Sequence, residues 1–524
     1  MKRSSFLGWA AAALLVGPIL AAQVVTSQYD NQRTGATLNE IALTPENVNV
    51  NRFGKLGAYK VDGAVYAQPL YLPGVEIPGK GRHNVLFVAT EHDSLYAFDA
   101  DSPGTPPLWQ VSLLATRQGA SIVPARAVQC PFIQPEIGIT PTPVIDVKTG
   151  TLYVLGRSMV GHAFKDSEYF QDLHALAITT GAEKFEGPRL IAASVRGRGD
   201  GSANGQVVFD PLRENPRASL LLTGGSVYLT WASSCDIAPY HGWVMAYDPA
   251  SLVQQAVLNV TPDGREGGIW AADTGPAADA AGNVYVPTGN GTFDAASGGR
   301  DYGDSELKLA LEGGLLAIRD YFTPYDQERI SARDADLGSS GPLVVPDQRG
   351  PHPHLLLQPT KSSTLYVIDR DQMGRFHSEG DAIVQRFDLS GEAYGAMAYW
   401  NGHVFFAPSD DHLRDFALEN GRLVLRNSSS IKFLNPGATP SISANGQQNA
   451  VVWAVSTKTW NGDDQSAVLY AFDARNIGEP IYTSEQNSRR DRAALATRFV
   501  FPVVVNGRVY FGARGEVEVY GLLK

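Results

Sequence analysis

The sequence is poor in cysteine, in basic residues and in long apolar runs. Its 524 residues include two cysteines and no CxxCH motif, which excludes covalent attachment of a c-type haem. Lys and Arg total 43 against 54 Asp and Glu, giving a net charge of −11. This balance disfavours a nucleic-acid partner, because neutralising phosphates requires clustered basic side chains. No phosphate-loop pattern and no nucleophile elbow is present either.

The one long apolar run lies at the N-terminus. Lys2 and Arg3 precede an apolar stretch at residues 6–20, and small residues follow, which is the layout of a secretory signal. We therefore expect residues 1–22 to be a signal peptide and residues 23–524 to form one mature domain, secreted or periplasmic, without a transmembrane segment. An uncleaved anchor is the alternative, but the run is shorter than the roughly 20 residues that a membrane span requires.

The two cysteines, Cys130 and Cys235, would then lie in an oxidising compartment. There a pair of cysteines is more often bridged than free. We expect a disulfide between them, on the condition that the fold brings their Cα atoms close enough.

A repeat runs through the whole chain. A β-branched or aromatic strand, a Gly or Asp turn and a segment related to "LYAFD" recur eight times, beginning near residues 85, 151, 226, 283, 355, 403, 451 and 508. A copy spacing of roughly 50 to 75 residues is typical of a four-stranded propeller blade with insertions. The pattern predicts an all-β chain folded as an eight-bladed β-propeller of four-stranded antiparallel blades.

The last repeat is incomplete, because the chain ends at Lys524 after three strands. We expect the segment "FGKLGAYKV" at residues 53–61 to supply the missing strand and to close the ring, which removes an open sheet edge. A β-solenoid or two sandwiches are the alternatives. Solenoid coils would be shorter, and sandwiches would not need eight similar copies.

The opening segment "QYDNQRTGATLNEIALTPENV" at residues 28–48, together with the repeated "LYAFD" strands, resembles the quinoprotein alcohol dehydrogenase superfamily. The resemblance covers nearly all of the mature chain. It implies an eight-bladed propeller that carries pyrroloquinoline quinone (PQQ) and a calcium ion. The superfamily also contains propellers that lack the cofactor and serve as binding platforms.

Four residues match positions that bind the cofactor and its ion in this family. By resemblance, Asn290 in "NVYVPTGNG" and Asp236 in "SSCDIAPYHGWVMAYD" would be calcium ligands, the latter if one inserted residue is allowed. Trp270 in "EGGIWAADTG" would form the floor under the quinone, and Lys361 in "QPTKSSTLYVIDRDQMG" would bond the quinone oxygens. These residue types suit the chemistry, since calcium prefers oxygen ligands and a flat ring stacks on a flat cofactor.

Each of these residues also has a purely structural interpretation. Asn290 lies between two glycines and is an ordinary turn residue, and Trp270 could pack between blades. Asp236 could cap a turn, and Lys361 could be a solvated loop end. All four nevertheless fall at or just after strand ends, in the order that the resemblance predicts.

The chain departs from the family at the catalytic base and at the cofactor cover. The family's aspartate base lies in a "TPxDxWDY" segment; here "FTPYDQERISARDADLG" places Arg329 at that position when the segments are aligned on "TP". Asp326, Asp334 and Asp336 are the candidates to replace the base. The two adjacent cysteines that cover the cofactor in the family are absent, although a Cys130–Cys235 bridge could lie near the same place.

Two functions follow from these observations. The first is a PQQ- and calcium-dependent oxidoreductase that acts on a small-molecule alcohol or sugar. The second is a non-catalytic propeller that binds an envelope or secreted protein as an assembly scaffold. A lectin-like or glycan-degrading propeller is a further alternative, but no paired carboxylates can be identified from the sequence.

Overall fold

The structure is a computed structural model that describes residues 22–161, 166–272, 274–458 and 465–524. Residues 1–21 of the expected signal peptide therefore lie outside the described residues. Strands are the main regular structure of the described chain, and eight of its sheets form blades around one axis. The eight-bladed β-propeller predicted from the sequence is thereby confirmed, and each of the eight repeat copies begins on or beside the second strand of a blade.

Blades 1 to 4 are antiparallel sheets whose strands run from the axis outward in chain order. Blade 2 carries two further strands, Ala120–Pro124 and Glu136–Ile137, from the long connection that precedes it. The four main strands of these blades are Leu70–Ile77, Gly81–Ala89, Ser94–Asp99 and Trp109–Ser112; Val144–Asp146, Thr151–Val160, Glu168–Ala177 and Arg189–Leu190; Leu221–Thr223, Ser226–Ser233, Trp243–Tyr247 and Gln254–Asn259; and Ala277–Ala278, Val284–Pro287, Glu306–Glu312 and Leu315–Phe322.

Blades 5 to 7 repeat this order, and blade 8 closes the ring. In blade 8 the strand Phe53–Ala64 pairs with Arg508–Leu522, which in turn pairs with Val503–Val505, so the predicted closing strand is confirmed. The end of the chain supplies two strands rather than the expected three, so this blade has three strands in all. The strands of blades 5 to 7 are Leu343–Val344, Leu355–Pro359, Thr364–Asp369 and Gln385–Asp388; Ala398–Trp400, His403–Phe406, Asp411–Glu419 and Arg422–Phe433; and Ser441–Asn445, Gln448–Ser456, Val468–Asp473 and Tyr482–Thr483.

Short elements lie outside the main strands of the blades. The strand Ala36–Thr37 pairs in parallel with Ser441–Asn445 of blade 7, and Glu214–Asn215 pairs with Ser226–Ser233 of blade 3. A hairpin precedes blade 3, and the helical segments are each a single turn or little more. These elements are the hairpin strands Ser194–Arg196 and Gln206–Val208, the α-helices Gln327–Ser331 and Ser488–Asp491, and the 3₁₀ turns Leu113–Thr116, Ala125–Ala127, Ala295–Ser297 and Leu337–Ser339.

Apolar side chains fill the space between neighbouring blades, as strand alternation predicts. Between blades 7 and 8, for example, the rings of Phe53 and Trp453 lie 5.4 Å apart, and those of Phe53 and Tyr482 lie 4.9 Å apart. Because Phe53 belongs to the closing strand, this contact ties the beginning of the chain to its last two blades. No helix within the described residues is long and apolar enough to cross a membrane.

Residues 24–36, which we call the axial segment, lie along the propeller axis and bond to the innermost strand of every blade. Arg33 is fully buried and donates to the carbonyl oxygens of Ser27, Leu220 and Pro276 at 2.7 to 3.3 Å. The hydrogen bonds that reach blades 1 to 8 in turn involve Tyr71, Ile145, Leu222, Ala278, Val344, Tyr399, Ile442 and Val504. The axial segment thus fills the channel between the inner strands.

Candidate functional site

One cavity lies at the end of the axis where the chain enters the inner strands. Its volume is about 120 Å³. Its walls come from two kinds of loop: those that lead into an inner strand, such as the loops holding Trp270 and Asp336, and those that link the second and third strands, such as the loops holding Asp236 and Lys361. Antiparallel pairing brings both kinds of loop to the same end of the propeller.

Asn290 lies at the end of the strand Val284–Pro287, in a turn that holds its side chain in one orientation. Its backbone N–H donates to Asp336 Oδ1 and its Nδ2 donates to Asp334 Oδ1, both at 2.9 Å. Its Oδ1 is buried and has no hydrogen-bond partner among the described residues. Asn290 is therefore both a turn residue and the holder of an unused buried acceptor.

Gly289 permits the close approach of three loops beside Asn290. A Cβ atom at this position would lie 2.4 Å from Asp336 Oδ1 and 2.8 Å from Trp270 Nε1. Any larger residue would push the Asp336 carboxylate or the Trp270 ring away from Asn290. The glycine before Asn290 thus has a packing reason that is specific to this site.

Lys361 lies between two of the candidate carboxylates. Its Nζ is 2.7 Å from Asp334 Oδ2 and 3.4 Å from Asp336 Oδ2. Burial raises the pKa of Asp336, although Lys361 opposes that shift. Partial burial works against the charge of Lys361, but Asp336 and Asp334 outweigh it and raise the lysine pKa, so Lys361 is a cation at neutral pH.

Asp236 joins the same group from the loop after Ser226–Ser233. The pKa of its carboxyl is raised to about 6, first by loss of hydration and next by the negative charge of Asp336. Tyr240 OH donates to Asp236 Oδ1 at 2.8 Å, and the Tyr240 ring meets the Trp270 ring edge to face with centroids 6.5 Å apart. Three carboxylates and one lysine therefore face one another, and the mutual repulsion favours an added cation.

The backbone is strained around this group of residues. Cys235, Asp236, Ala271 and Asp334 all have positive φ angles, between 37° and 54°, although none of them is a glycine. Such conformations cost about 1 to 3 kcal/mol each and persist where the surroundings hold them in place. Four such residues thus lie in the loops that line or adjoin the cavity.

The opposite walls of the cavity hold residues that the sequence interpretation did not single out as ligands. Cys130 and Cys235 form a disulfide with a Cα–Cα distance of 5.6 Å, which confirms the expected bridge, and both cysteines line the cavity. Arg217, Arg498 and Phe499 also line it. The sequence signal for Arg217, Arg498 and Phe499 is their position, because each lies four or five residues before an inner strand. Trp270 and Asp336 also lie shortly before inner strands.

The third candidate for the base, Asp326, does not line the cavity. It lies directly before the helix Gln327–Ser331, is buried, and forms ion pairs with Arg329 and Arg386. Arg329, which the alignment on "TP" places at the base position, extends to solvent from that helix. The structure instead brings Asp336 to the cavity and Asp334 to the cavity lysine, Lys361, because the helix takes up the extra residues between "TP" and this pair.

The residues present fit a hard cation whose coordination shell is completed by a ligand. Among the described residues no group of three or more His, Cys, Asp or Glu side chains has the spacing of a self-sufficient metal site. The unused Oδ1 of Asn290 and the carboxylates beside it offer oxygen donors of the kind that calcium prefers. Trp270 and the aromatic wall offer flat surfaces for a flat ligand.

No protein-family model matches the sequence, and the search of curated proteins gives no significant match. Solved structures do match. The quinohemoprotein alcohol dehydrogenase ADHIIG from Pseudomonas putida HK5 gives a TM-score of 0.62 at 13% identity, over 95% of this chain and 80% of that one. The quinohemoprotein alcohol dehydrogenase from Comamonas testosteroni gives 0.58 at 14% identity, with the same coverage.

A europium-containing methanol dehydrogenase gives a TM-score of 0.58 at 12% identity, over 95% of this chain and 98% of that one. At these identities the likeness concerns the fold of the chain.

Proposed function

The chain has the eight-bladed fold of the quinoprotein alcohol dehydrogenases, and from this premise we propose that its axial cavity binds PQQ with a calcium ion and that the protein oxidises an alcohol or a sugar. One observation carries the proposal. Asn290 Oδ1, a buried acceptor without a partner among the described residues, belongs to a turn that Asp334 and Asp336 hold. That turn adjoins a cavity lined by Asp236, Asp336, the protonated Lys361 and the half-buried Trp270. Folding alone gives no reason for this combination.

Asp236, Asn290 and Asp336 would hold the ion, since Asn290 Oδ1 is an unused buried acceptor, the Asn290 amide binds Asp336, and the charge of Asp336 acts on Asp236. Trp270 would support the quinone ring. Lys361, held as a cation by Asp334 and Asp336, would bond the quinone oxygens and stabilise negative charge that develops there. Bound in this way, the quinone and its ion would supply the oxidation step, because a hard cation polarises a quinone carbonyl toward hydride attack.

Asp334 is the residue that we assign to proton removal. Its side chain is 63% exposed, so an alcohol could reach it, and its two oxygens are oriented by Lys361 and by Asn290 Nδ2. A general base must lie within hydrogen-bond reach of the proton that it takes, and Asp334 suits that role as an exposed carboxylate beside the cavity lysine, Lys361. Asp336 is buried and already accepts from Asn290, which suits a ligand role instead.

The proposal includes export of the protein. The N-terminal segment has the layout of a secretory signal, and both cysteines of the chain are bridged, as is usual for proteins of oxidising compartments. No haem-attachment motif is present, so electrons from the reduced cofactor would pass to another protein or to a soluble acceptor.

The test is a titration of the mature protein with PQQ, with and without calcium, followed by absorbance and calorimetry. We expect calcium-dependent binding that is lost in Asn290→Ala and Trp270→Ala and retained in Asn51→Ala, which changes an exposed turn asparagine. We expect Asp334→Asn to bind PQQ but to lose at least a hundredfold in alcohol-dependent dye reduction. Absence of binding at high micromolar PQQ would refute the proposal and favour the protein-binding scaffold.

A further inference from the structure

Two arginines on the cavity wall stack against one phenylalanine. The guanidinium carbon of Arg217 lies 4.4 Å from the centroid of the Phe499 ring, and that of Arg498 lies 4.5 Å from it. Arg498 also lies 4.9 Å from the Phe132 ring and 5.9 Å from the Tyr394 ring. All five residues line the cavity, so the aromatic rings hold two planar cations at its surface.

Within the described part of the chain, no acidic side chain compensates the charge of Arg217. The residue is 9% exposed, its Nε is buried without a hydrogen-bond partner, and no carboxylate of the described residues forms an ion pair with it. Lys361 differs, since Asp334 and Asp336 neutralise it. A buried and unpaired cation is costly unless a ligand pairs with it. An arginine of this kind at a cavity wall therefore indicates an anion-binding position.

The chemistry of the anion follows from the shape of the site. Guanidinium groups present a planar fork of donors that matches a carboxylate, and the rings around them favour a ligand that is itself flat. The two arginines come from the loops into blades 3 and 8, whereas the acids and Lys361 come from other loops. The two functions of the cavity, anion binding and cation binding, are thus supplied by separate residues.

We propose that Arg217 and Arg498 bind carboxylate groups of a flat aromatic ligand and so determine which ligand the cavity accepts. This inference rests on the proposed function for the identity of the ligand, since PQQ is flat and bears three carboxyl groups. It goes beyond that function by assigning selectivity to a pair of residues outside the ion site. An aromatic ligand without carboxylates should bind poorly even when it carries the quinone.

The experiment measures binding to the mature protein by calorimetry, with three probes. They are PQQ with calcium, the trimethyl ester of PQQ with calcium, and benzene-1,3,5-tricarboxylate without calcium. We expect the wild-type protein to bind PQQ at least tenfold more tightly than its ester and to bind the benzene tricarboxylate measurably. In Arg498→Gln we expect the affinities for PQQ and for benzene tricarboxylate to fall tenfold or more. The variant should show little preference between PQQ and its ester.

Two further variants guard against loss of folding. Arg217→Lys keeps the positive charge of this buried residue but removes the planar guanidinium. Its affinity for PQQ and for benzene tricarboxylate should fall between that of the wild type and that of Arg498→Gln. Arg117→Gln is the matched control, because Arg117 also stacks on a ring, Phe170 at 3.8 Å, but lies outside the cavity. It should bind all three probes as the wild type does.

The outcomes separate the two proposals. Equal PQQ affinity in the wild type and in Arg498→Gln would overturn the role of the arginines and leave the proposed function intact. Arginine-dependent binding of the benzene tricarboxylate without any binding of PQQ would support the arginines and refute the proposed cofactor. Failure of the wild-type protein to bind any acid would overturn both.

Discussion

At the residue scale, Asn290 shows why a turn position can carry a ligand. Its backbone N–H and its Nδ2 are both engaged by aspartates, which fixes the side chain without using Oδ1. Leaving a buried acceptor unsatisfied costs about 1 to 3 kcal/mol. A residue selected only for the turn would not need that cost, because glycine or aspartate could occupy the same turn. The sequence could place Asn290 at a strand end, but the orphaned oxygen is visible only once Asp334 and Asp336 are placed beside it.

Glu306 is a second residue whose environment predicts a measurable effect. Its carboxyl is fully buried, neither oxygen has a hydrogen-bond partner among the described residues, and burial raises its pKa well above the ordinary value of 4.5. Below about pH 4.5 the folded and unfolded states both carry this proton. As the pH rises, the unfolded state loses the proton first, so ionisation favours unfolding.

We predict that Glu306→Gln reduces the loss of stability between pH 5 and pH 8. Each pH unit in this range should cost the wild-type protein up to about 1.4 kcal/mol through Glu306, and the variant should lack that contribution. Urea unfolding at four pH values gives the slopes. Glu312→Gln is the control, since Glu312 ends the same strand but is exposed. Parallel slopes for the wild type and Glu306→Gln would contradict the prediction.

At the scale of elements, the second and third strands of each blade could be predicted from the sequence, whereas only some of the inner strands could, in segments such as "PTPVID", "SSGPLVVP" and "FVFPVVV". The second strands carry runs such as "VLFVA" that are buried on both faces, and their repetition identifies the blade. Other inner strands, such as Ala277–Ala278, are two residues long and have no pattern of their own. They exist because the neighbouring second strand and the axial segment offer partners from distant parts of the chain.

The disulfide is the element-scale feature with the clearest energetic consequence. Cys130 and Cys235 are 105 residues apart in sequence, and the bridge links the connection before blade 2 to the loop that holds Asp236. Closing a loop of this length stabilises the folded state by about 4 to 5 kcal/mol on the chain-entropy model. We predict that the Cys130→Ala, Cys235→Ala double variant unfolds at a correspondingly lower urea concentration than the oxidised wild type.

Reduction of the wild-type protein provides an independent control for this prediction. The sequence contains no other cysteine, so dithiothreitol acts on this bridge alone. The reduced wild type and the double variant should unfold at similar urea concentrations. Coincident unfolding curves for oxidised and reduced protein would show that the bridge contributes nothing to stability.

At the scale of the whole molecule, the cavity is assembled from loops of most of the blades. Arg217 and Arg498 are separated by 281 positions of chain, and nothing in their local sequence relates one to the other. Only closure of the ring brings blade 8 beside blade 1 and places both arginines on one wall. The resemblance indicated Asp236, Asn290, Trp270 and Lys361 because each lies in a local motif. Residues that meet through ring closure have no such motif, so sequence reasoning missed them.

The axial segment couples the blades to one another, and Arg33 is the residue that anchors it. Its guanidinium donates to four backbone carbonyls and to Thr26 Oγ1, and it is fully buried. We predict that Arg33→Met lowers the free energy of unfolding by about 3 kcal/mol or more, because the buried carbonyls lose charge-assisted donors. The amides of Ala278, Val344 and Ile442 donate to the axial segment from three different blades. Because one segment binds them all, we expect all three to exchange with deuterium faster in Arg33→Met than in the wild type.

The control for this prediction is Arg508→Met, which removes a partly buried arginine that bonds the carbonyl oxygens of Ala100 and Asp101 between blades 8 and 1. Its effect on amide exchange should stay within those two blades. If Arg33→Met accelerated exchange only near Leu220 and Pro276, the axial segment would stabilise only the blades that Arg33 contacts. Accelerated exchange in blades 4, 5 and 7 at once would show that the segment holds the ring together, and that the cavity keeps its shape because all eight blades share one support.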